Sequence, residues 1–267
     1  MTATAPNKTR EVTQKDIGAM FVIGAIASAA GIALGIWIDW FPASAATQSG
    51  PIDSMYDFLI ILSVPIFVMV TTVVLFSIFK FRMRAGEENL DGPPTHGNTR
   101  LEIIWTAIPS IIIATLCIYS ANVLSTIDEA SANQTKITAY GQQFAWQFEY
   151  TAPGGKKFLD PYLWVKCAPT GPATGQGAPC EGDQLAFDIK AVDVIHSLWI
   201  PAMRMKQDAV PGITTHTKMN PNRLGTYPVV CTELCGIGHG IMRSTVHVVT
   251  PAQYSIWLKK HTAPAAG

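Results

Sequence analysis

Cys231-Thr232-Glu233-Leu234-Cys235-Gly236-Ile237-Gly238-His239-Gly240-Ile241-Met242 places two thiols, an imidazole and a thioether within twelve residues. Gly236, Gly238 and Gly240 let the backbone turn tightly between them, because glycine tolerates positive φ. A second histidine, His196, lies upstream in Asp193-Val194-Ile195-His196-Ser197-Leu198-Trp199. Thiolate, imidazole and thioether are soft to borderline donors, which copper takes in preference to the oxygen ligands of magnesium or calcium. Structural zinc takes four ligands without a thioether, commonly with Cys-x-x-Cys spacing. A single blue copper uses one Cys, two His and a weak Met, so Cys231 and Cys235 give one thiolate too many. Two thiolates bridging two copper ions account for the whole set, with one histidine for each ion and Met242 as a weak ligand to one. A disulfide between the two cysteines leaves His239 and Met242 without a purpose.

Outward from this loop, Gly225–Val230 and Met242–Val249 read as strands. Further candidates are Lys136–Tyr140, Phe144–Tyr150, Phe158–Val165, Leu185–Val194, Met203–Gln207 and Ile213–Met219, rich in strand formers or alternating in polarity. Residues 167 to 183 read as a loop without periodicity. Thr250-Pro251 offers an N-cap followed by proline at N1, opening a helix through Tyr254, Trp257 and Leu258. Short strands with turns between them predict a sandwich or barrel for residues 128–267.

The first half is different. Ile17–Ile38, Phe58–Phe79 and Ile103–Leu124 are apolar runs long enough to span ~30 Å of hydrocarbon. Pro65 and Pro109 fall inside the second and third. Trp37, Trp40 and Phe41 suit an interface, and Lys8, Arg10, Lys15, Lys80, Arg82 and Arg84 mark the cytoplasmic side. The loop at 86–98 is then inside, and everything after residue 125 is outside. Ala43-Ser44-Ala45 resembles a signal-peptidase site, so residues 1–45 are either a retained helix or a signal peptide; the length of the apolar run favours retention. Residues 46–127 form a transmembrane hairpin.

Charged residues make up only 14% of the 267, and mean hydropathy is +0.23, as membrane segments require. A net charge of zero gives no electrostatic footprint for nucleic acid. Cys117 sits in an apolar run and reads as a packing residue. Cys167 and Cys180 flank the 167–183 loop; a disulfide between them is open, since sequence does not give their separation.

Cys-x-Glu-x-Cys-x-x-x-His-x-x-Met, preceded by Asp-x-x-His, resembles the binuclear CuA site of subunit II of haem–copper cytochrome oxidases. The resemblance covers about residues 51 to 260, and the first apolar run is an addition to the family's two-helix pattern. It implies a membrane α-helical hairpin (two or three transmembrane helices) joined to an all-β cupredoxin-like domain, a Greek-key β-sandwich or barrel. It implies Cys231, Cys235, His196, His239 and Met242 as copper ligands. Glu233 would supply its backbone carbonyl to copper and its side chain to a magnesium or manganese ion at the subunit I interface. Glu102, in Glu102-Ile103-Ile104-Trp105-Thr106, matches the family's Glu-x-x-Trp-Thr at a proton-channel mouth, although a carboxylate at a helix N-terminus is favoured by the helix dipole alone.

The stretch Gly141–Tyr150 resembles the family's aromatic segment, where the first Trp of Trp-x-Trp admits electrons; here Phe144 stands first and Trp146 is kept. A strand packed on the core reads equally well. Asp193 and Trp199 are candidate supports for His196, and Asp193 could equally end a strand. The resemblance implies an aa3-type cytochrome c oxidase in a bacterial cytoplasmic membrane, with its C-terminal domain periplasmic or extracellular. Electrons would arrive from cytochrome c or a small copper protein (cupredoxin) and pass to haem, which resides only in subunit I. Oxygen becomes water there and protons are pumped. Subunits I and III and the lipid membrane are the implied partners. A CuA subunit of a nitric oxide reductase, or a membrane-anchored copper carrier without enzymatic activity, are the alternatives.

Overall fold

The computed structural model describes residues 12–83, 96–172 and 175–262. Lys8, Arg10, Arg84 and most of the loop at 86–98 lie outside them. Three helices open the chain: α1 (Gln14–Trp37), α2 (Ser49–Phe81) and α3 (Thr99–Ile127), each long and apolar enough to cross a membrane. Thr13 and Asp16 form a capping box at the start of α1, Thr13 Oγ1 accepting from the Asp16 amide and Asp16 from the Thr13 amide. α2 begins nine residues before the expected span at Phe58, because the absence of charge marks an apolar layer and not a helix end. The helices run through Pro65 and Pro109.

The described residues fall into two compact units, one drawn from the stretch through Asp39 and from Ser54–Ser120, the other from Trp40–Asp53 and from Ala121 onward. In the helical unit, α1 and α2 pack through glycines. A Cβ on Gly31 would stand 2.8 Å from Val64, and one on Gly35 2.6 Å from Ile60; small residues let apolar helices approach this closely. Lys80 pairs with Asp16 at 2.8 Å, and Phe58 meets Tyr119 edge to face. Cys117 is exposed on α3 and is not the packing residue expected, since three helices alone do not enclose it.

The second unit is a β-sandwich. Its strands are β1 (Gln134–Gln142), β2 (Ala145–Thr151), β3 (Lys157–Asp160), β4 (Leu163–Lys166), β5 (Ala168–Pro169), β6 (Cys180–Glu181), β7 (Gln184–Ala191), β8 (His196–Ile200), β9 (Met205–Ala209), β10 (Thr215–Met219), β11 (Gly225–Cys231) and β12 (Arg243–Val249). One sheet has the order β10-β7-β1-β2-β3 and the other β4-β12-β11-β8-β9. The β1–β7 and β12–β4 pairs are parallel, the rest of the two sheets antiparallel. The inner faces meet in one core that includes Phe148, Phe187, Ile189, Leu163, Val229 and Val246. Two-residue alternation sets which side chains turn inward. On β11 these are Tyr227, Val229 and Cys231, and on β8 His196, Leu198 and Ile200.

Several strand expectations are revised. Phe158–Val165 is not one strand: β3 and β4 flank Pro161 and Tyr162 and belong to different sheets. Proline has no amide to donate to a ladder, so the run breaks there. Met203–Gln207 is a 3₁₀ turn (Pro201–Met203) followed by β9, with Arg204 left-handed at φ 54° between them. β8 passes unnoticed in the sequence behind its histidine. The 167–183 loop carries the β5–β6 hairpin, and Cys167 and Cys180 are joined in a disulfide. A last helix, α4 (Pro251–Thr262), is capped reciprocally by Thr250 and Gln253.

The segment Trp40–Asp53 is stitched into this sandwich. Ala45 donates to the Ala202 carbonyl at 2.8 Å and accepts from the Asn222 amide at 3.0 Å, and Thr47 donates to the Asn220 carbonyl at 3.0 Å. Ala45 and Ala46 are buried. The Arg204 guanidinium forks onto both oxygens of Asp53, at 2.7 and 2.8 Å, donates to the Pro42 carbonyl, and lies over the Phe41 ring.

Candidate metal centre

The inward phase of two neighbouring strands brings the first two donors together. His196 opens β8 and Cys231 closes β11, and the strands pair as Cys231 opposite Leu198. The chain then leaves the sheet for eleven residues. The loop is closed at its base by the Cys231 amide, which donates to the Met242 carbonyl at 3.1 Å. Within it, a 3₁₀ turn (His239–Ile241) follows Gly236, whose φ is +131°.

Cys231 Sγ and Cys235 Sγ stand 3.9 Å apart, and the two cysteines are free. Each thiol has its own imidazole. His196 Nδ1 is 4.0 Å from Cys231 Sγ, and His239 Nδ1 is 3.7 Å from Cys235 Sγ. Met242 Sδ is 3.8 Å from Cys235 Sγ, and the Glu233 carbonyl lies 3.3 Å from Cys231 Sγ. The donor atoms of His196, Cys231 and Cys235 all lie within 4.8 Å of one another. A borderline ion bound at about 2.3 Å from sulfur and about 2.0 Å from nitrogen spans S···N separations up to about 4.3 Å. Both thiol–imidazole distances fall inside that reach. His196 and Met242 are 0% exposed. Burial, and after it the neighbouring Cys231 thiol, pushes the Cys235 thiol up to about 11.

Asp193 faces the far side of the His196 ring: its Oδ1 lies 2.8 Å from Nε2, leaving Nδ1 to face the thiols. Burial pushes the Asp193 carboxyl up, but the hydrogen bonds from His196 and from the Gln143 and Val194 amides outweigh it and hold it below the usual carboxylate value.

The two aromatic positions separate. Trp146 is buried, with its ring centroid 6.0 Å from that of His196. Gly141 makes this contact feasible, since a Cβ there would crowd both rings at 3.0 and 3.1 Å. Phe144 is half-buried and rests on Gly236 and Gly238 of the cysteine loop. Glu233 is exposed at the surface. Glu102 lies in the helical unit, in the first turn of α3, where its Oε1 accepts from the Asn98 amide at 3.2 Å and Asn98 Oδ1 in turn accepts from Leu101. Gln143 has no signal in the sequence, yet its side chain donates to the Cys235 carbonyl at 2.5 Å.

The chain matches the profile of the cytochrome c oxidase subunit II transmembrane domain over residues 30–123 and that of the periplasmic domain over residues 179–249. Subunit 2 of the cytochrome c oxidase of Thermostichus vulcanus is 31% identical over 84% of this chain and 79% of its own length. That of Synechocystis is 31% identical over 84% and 76%. This chain belongs to the cytochrome c oxidase subunit II family. The periplasmic domain of subunit II of the Bradyrhizobium japonicum cytochrome oxidase superposes with a TM-score of 0.40 at 22% identity, over 50% of this chain and 95% of that one. Membership makes this a membrane protein with a cupredoxin-like outer domain and implies a copper centre. The paired thiols, each with an imidazole and free of a disulfide, suit that metal. Most of α1 precedes the matched transmembrane region.

Proposed function

We propose that the chain is the electron-entry subunit of an aa3-type cytochrome c oxidase, in a bacterial cytoplasmic membrane with residues after 125 in the periplasm. The observation that carries this reading is the pairing of each free thiol with its own imidazole, 4.0 Å for Cys231–His196 and 3.7 Å for Cys235–His239. Cys231 and Cys235, with His196 and His239 beside them, would hold the two copper ions. Met242 and the Glu233 carbonyl, which lie beside the thiols, would complete the set. Bound copper supplies one-electron storage shared over two metals, which keeps the change at each small. The protein keeps water away: His196 and Met242 are 0% exposed and Cys235 4%. Fixed ligands in a dry site limit rearrangement as an electron arrives.

Phe144, half-buried at the edge of the loop, is the outward contact for a soluble donor, cytochrome c or a cupredoxin. Trp146 backs His196 from inside. The exposed Glu233 carboxylate suits a magnesium or manganese ion shared with subunit I. Electrons continue to haem in subunit I, where oxygen is reduced to water and protons are pumped; subunit III completes the assembly. Glu102 serves proton entry, and Glu102→Gln is expected to slow proton uptake by the assembled enzyme. Unchanged turnover and uptake would remove that assignment.

The full chain, purified in detergent and loaded with copper, is expected to bind two ions. It should show a purple mixed-valence spectrum with a seven-line EPR pattern, and Cys235→Ser should abolish both. A single, exchangeable cuprous ion would make the protein a copper carrier instead.

A further inference from the structure

Gln143 occupies the turn between β1 and β2 and reaches both sides of the metal centre. Its backbone amide donates to Asp193 Oδ2 at 2.7 Å, and its side-chain Nε2 donates to the Cys235 carbonyl at 2.5 Å. Asp193 Oδ1, on the same carboxylate, faces His196 Nε2 at 2.8 Å and accepts from the Val194 amide at 2.7 Å. An unbroken series of hydrogen bonds therefore runs from the turn that carries one bridging thiol to the imidazole that faces the other. Its ends come from the cysteine loop and from the start of β8, with no covalent neighbour in common. Gly236 keeps the series open: a Cβ there would stand 2.9 Å from Gln143 Nε2. The loop is also tied to β8 by the Thr232 amide, which donates to the Ser197 carbonyl at 3.0 Å, and Phe144 rests on Gly236 and Gly238; the Gln143 side chain is the link made at Cys235 itself.

We infer that Gln143 is a positioning residue for the metal centre. It sets the Cys235 turn against the Asp193-oriented ring of His196 before metal enters, so that both thiol–imidazole pairs stand at binding distance together. The inference rests on the proposed copper reading for its consequence, but the hydrogen bonds exist without metal. The side-chain link alone is removed by Gln143→Ala, which keeps the backbone amide for Asp193. Gln143→Glu keeps the size and removes the donor, so the two variants separate hydrogen bonding from packing. Polar neighbours that orient metal ligands are typically worth about 10- to 100-fold in metal affinity.

The test uses the full chain in detergent, with two readouts. In the copper-free protein, amide hydrogen exchange over residues 231–242 is expected to rise about tenfold in both variants, with exchange in β7 and β10 unchanged. In the copper-loaded protein, both variants should release copper to a chelator at least tenfold faster, with altered hyperfine splitting. Unchanged exchange and unchanged release would overturn the inference. Faster exchange with unchanged release would also overturn it, leaving Gln143 as a loop contact only. Loss of affinity in Gln143→Ala but not in Gln143→Glu would assign the effect to packing and overturn it as well. If the wild-type chain fails to take up two coppers, the copper reading fails. The exchange measurement then decides alone whether Gln143 holds the turn.

Discussion

The ring of Phe144 lies directly on Gly238, so closely that a Cβ at position 238 would overlap it. The same ring is 3.2 Å from where a Cβ on Gly236 would stand. The glycines of the cysteine loop thus do more than permit tight turns: two of them form the bed for an aromatic side chain from the β1–β2 connection. Gly240 has no neighbour within 4 Å of such a Cβ.

This contrast gives a controlled pair of substitutions. Gly238→Ala is expected to destabilise the outer domain by about 1–3 kcal/mol, the usual range for overpacking, and Gly240→Ala by well under 1 kcal/mol. Adding Phe144→Ala to Gly238→Ala should recover part of the loss, because the overlap disappears. Thermal unfolding of the three variants, followed by tryptophan fluorescence, checks it. Equal losses at 238 and 240 would contradict the packing described.

Copper uptake should strengthen as pH rises. The Cys235 thiol is held up to about 11, so it is protonated at neutral pH, and a metal must displace its proton. Below about pH 11 each unit of pH then lowers the cost of forming that thiolate. Apparent affinity should rise by roughly tenfold per unit for each proton displaced. Calorimetric titration in buffers of different ionisation enthalpy counts the protons directly. An affinity flat between pH 6 and 8 would show that the thiolate is already present.

Arg204 is the charged tie between Trp40–Asp53 and the sandwich, beside the backbone hydrogen bonds of Ala45 and Thr47. Its side chain is 6% exposed while Asp53 is 34% exposed. In Arg204→Ala the carboxylate regains water, so the loss is set near that of charge-assisted hydrogen bonds, about 2 kcal/mol, below the 3–5 of a fully buried pair. A domain of this size should then melt roughly 4–8 °C lower. Near-ultraviolet circular dichroism of the full chain reads the shift. An unchanged midpoint would mean that the ion pair is dispensable to the domain.

The disulfide is separable from the metal centre. Cys167 and Cys180 close a loop over a sequence separation of 13. The chain-entropy model gives about 3 kcal/mol for a loop near that length. Cys167→Ser with Cys180→Ser should therefore lower stability by about 3 kcal/mol and leave the copper spectrum intact. Denaturant unfolding and absorption spectroscopy on one sample test both halves. Loss of the spectrum in a folded double variant would tie the loop to the metal site.

The cysteine loop was legible because two thiols, an imidazole and a thioether stand at a spacing, from Cys231 to Met242, that packing alone does not generate, and the fold brings those groups together. The apolar helices were legible because a bilayer demands length and the absence of charge, yet their ends were not, as α2 beginning at Ser49 demonstrates. Strand limits failed where one apolar run serves two sheets, as on either side of Pro161. Residues that act through distant partners left no local trace. Gln143 has the composition of any turn residue, and its importance lies in a carbonyl 92 positions later. Ala45 looks like part of a peptidase site, and only the fold puts it at 0% exposure between Ala202 and Asn222.

That last placement bears on biogenesis. The strip at Trp40–Asp53 leaves the ribosome long before Ala202, Asn220 and Asn222, the groups that bind it, have been made. The outer domain therefore completes itself only after translation of both later helices, with an early segment waiting for a late one. A soluble fragment cut after α3 would start life with an open seam along those backbone groups. Restoring the strip as a separate or fused peptide should be the simplest way to close it.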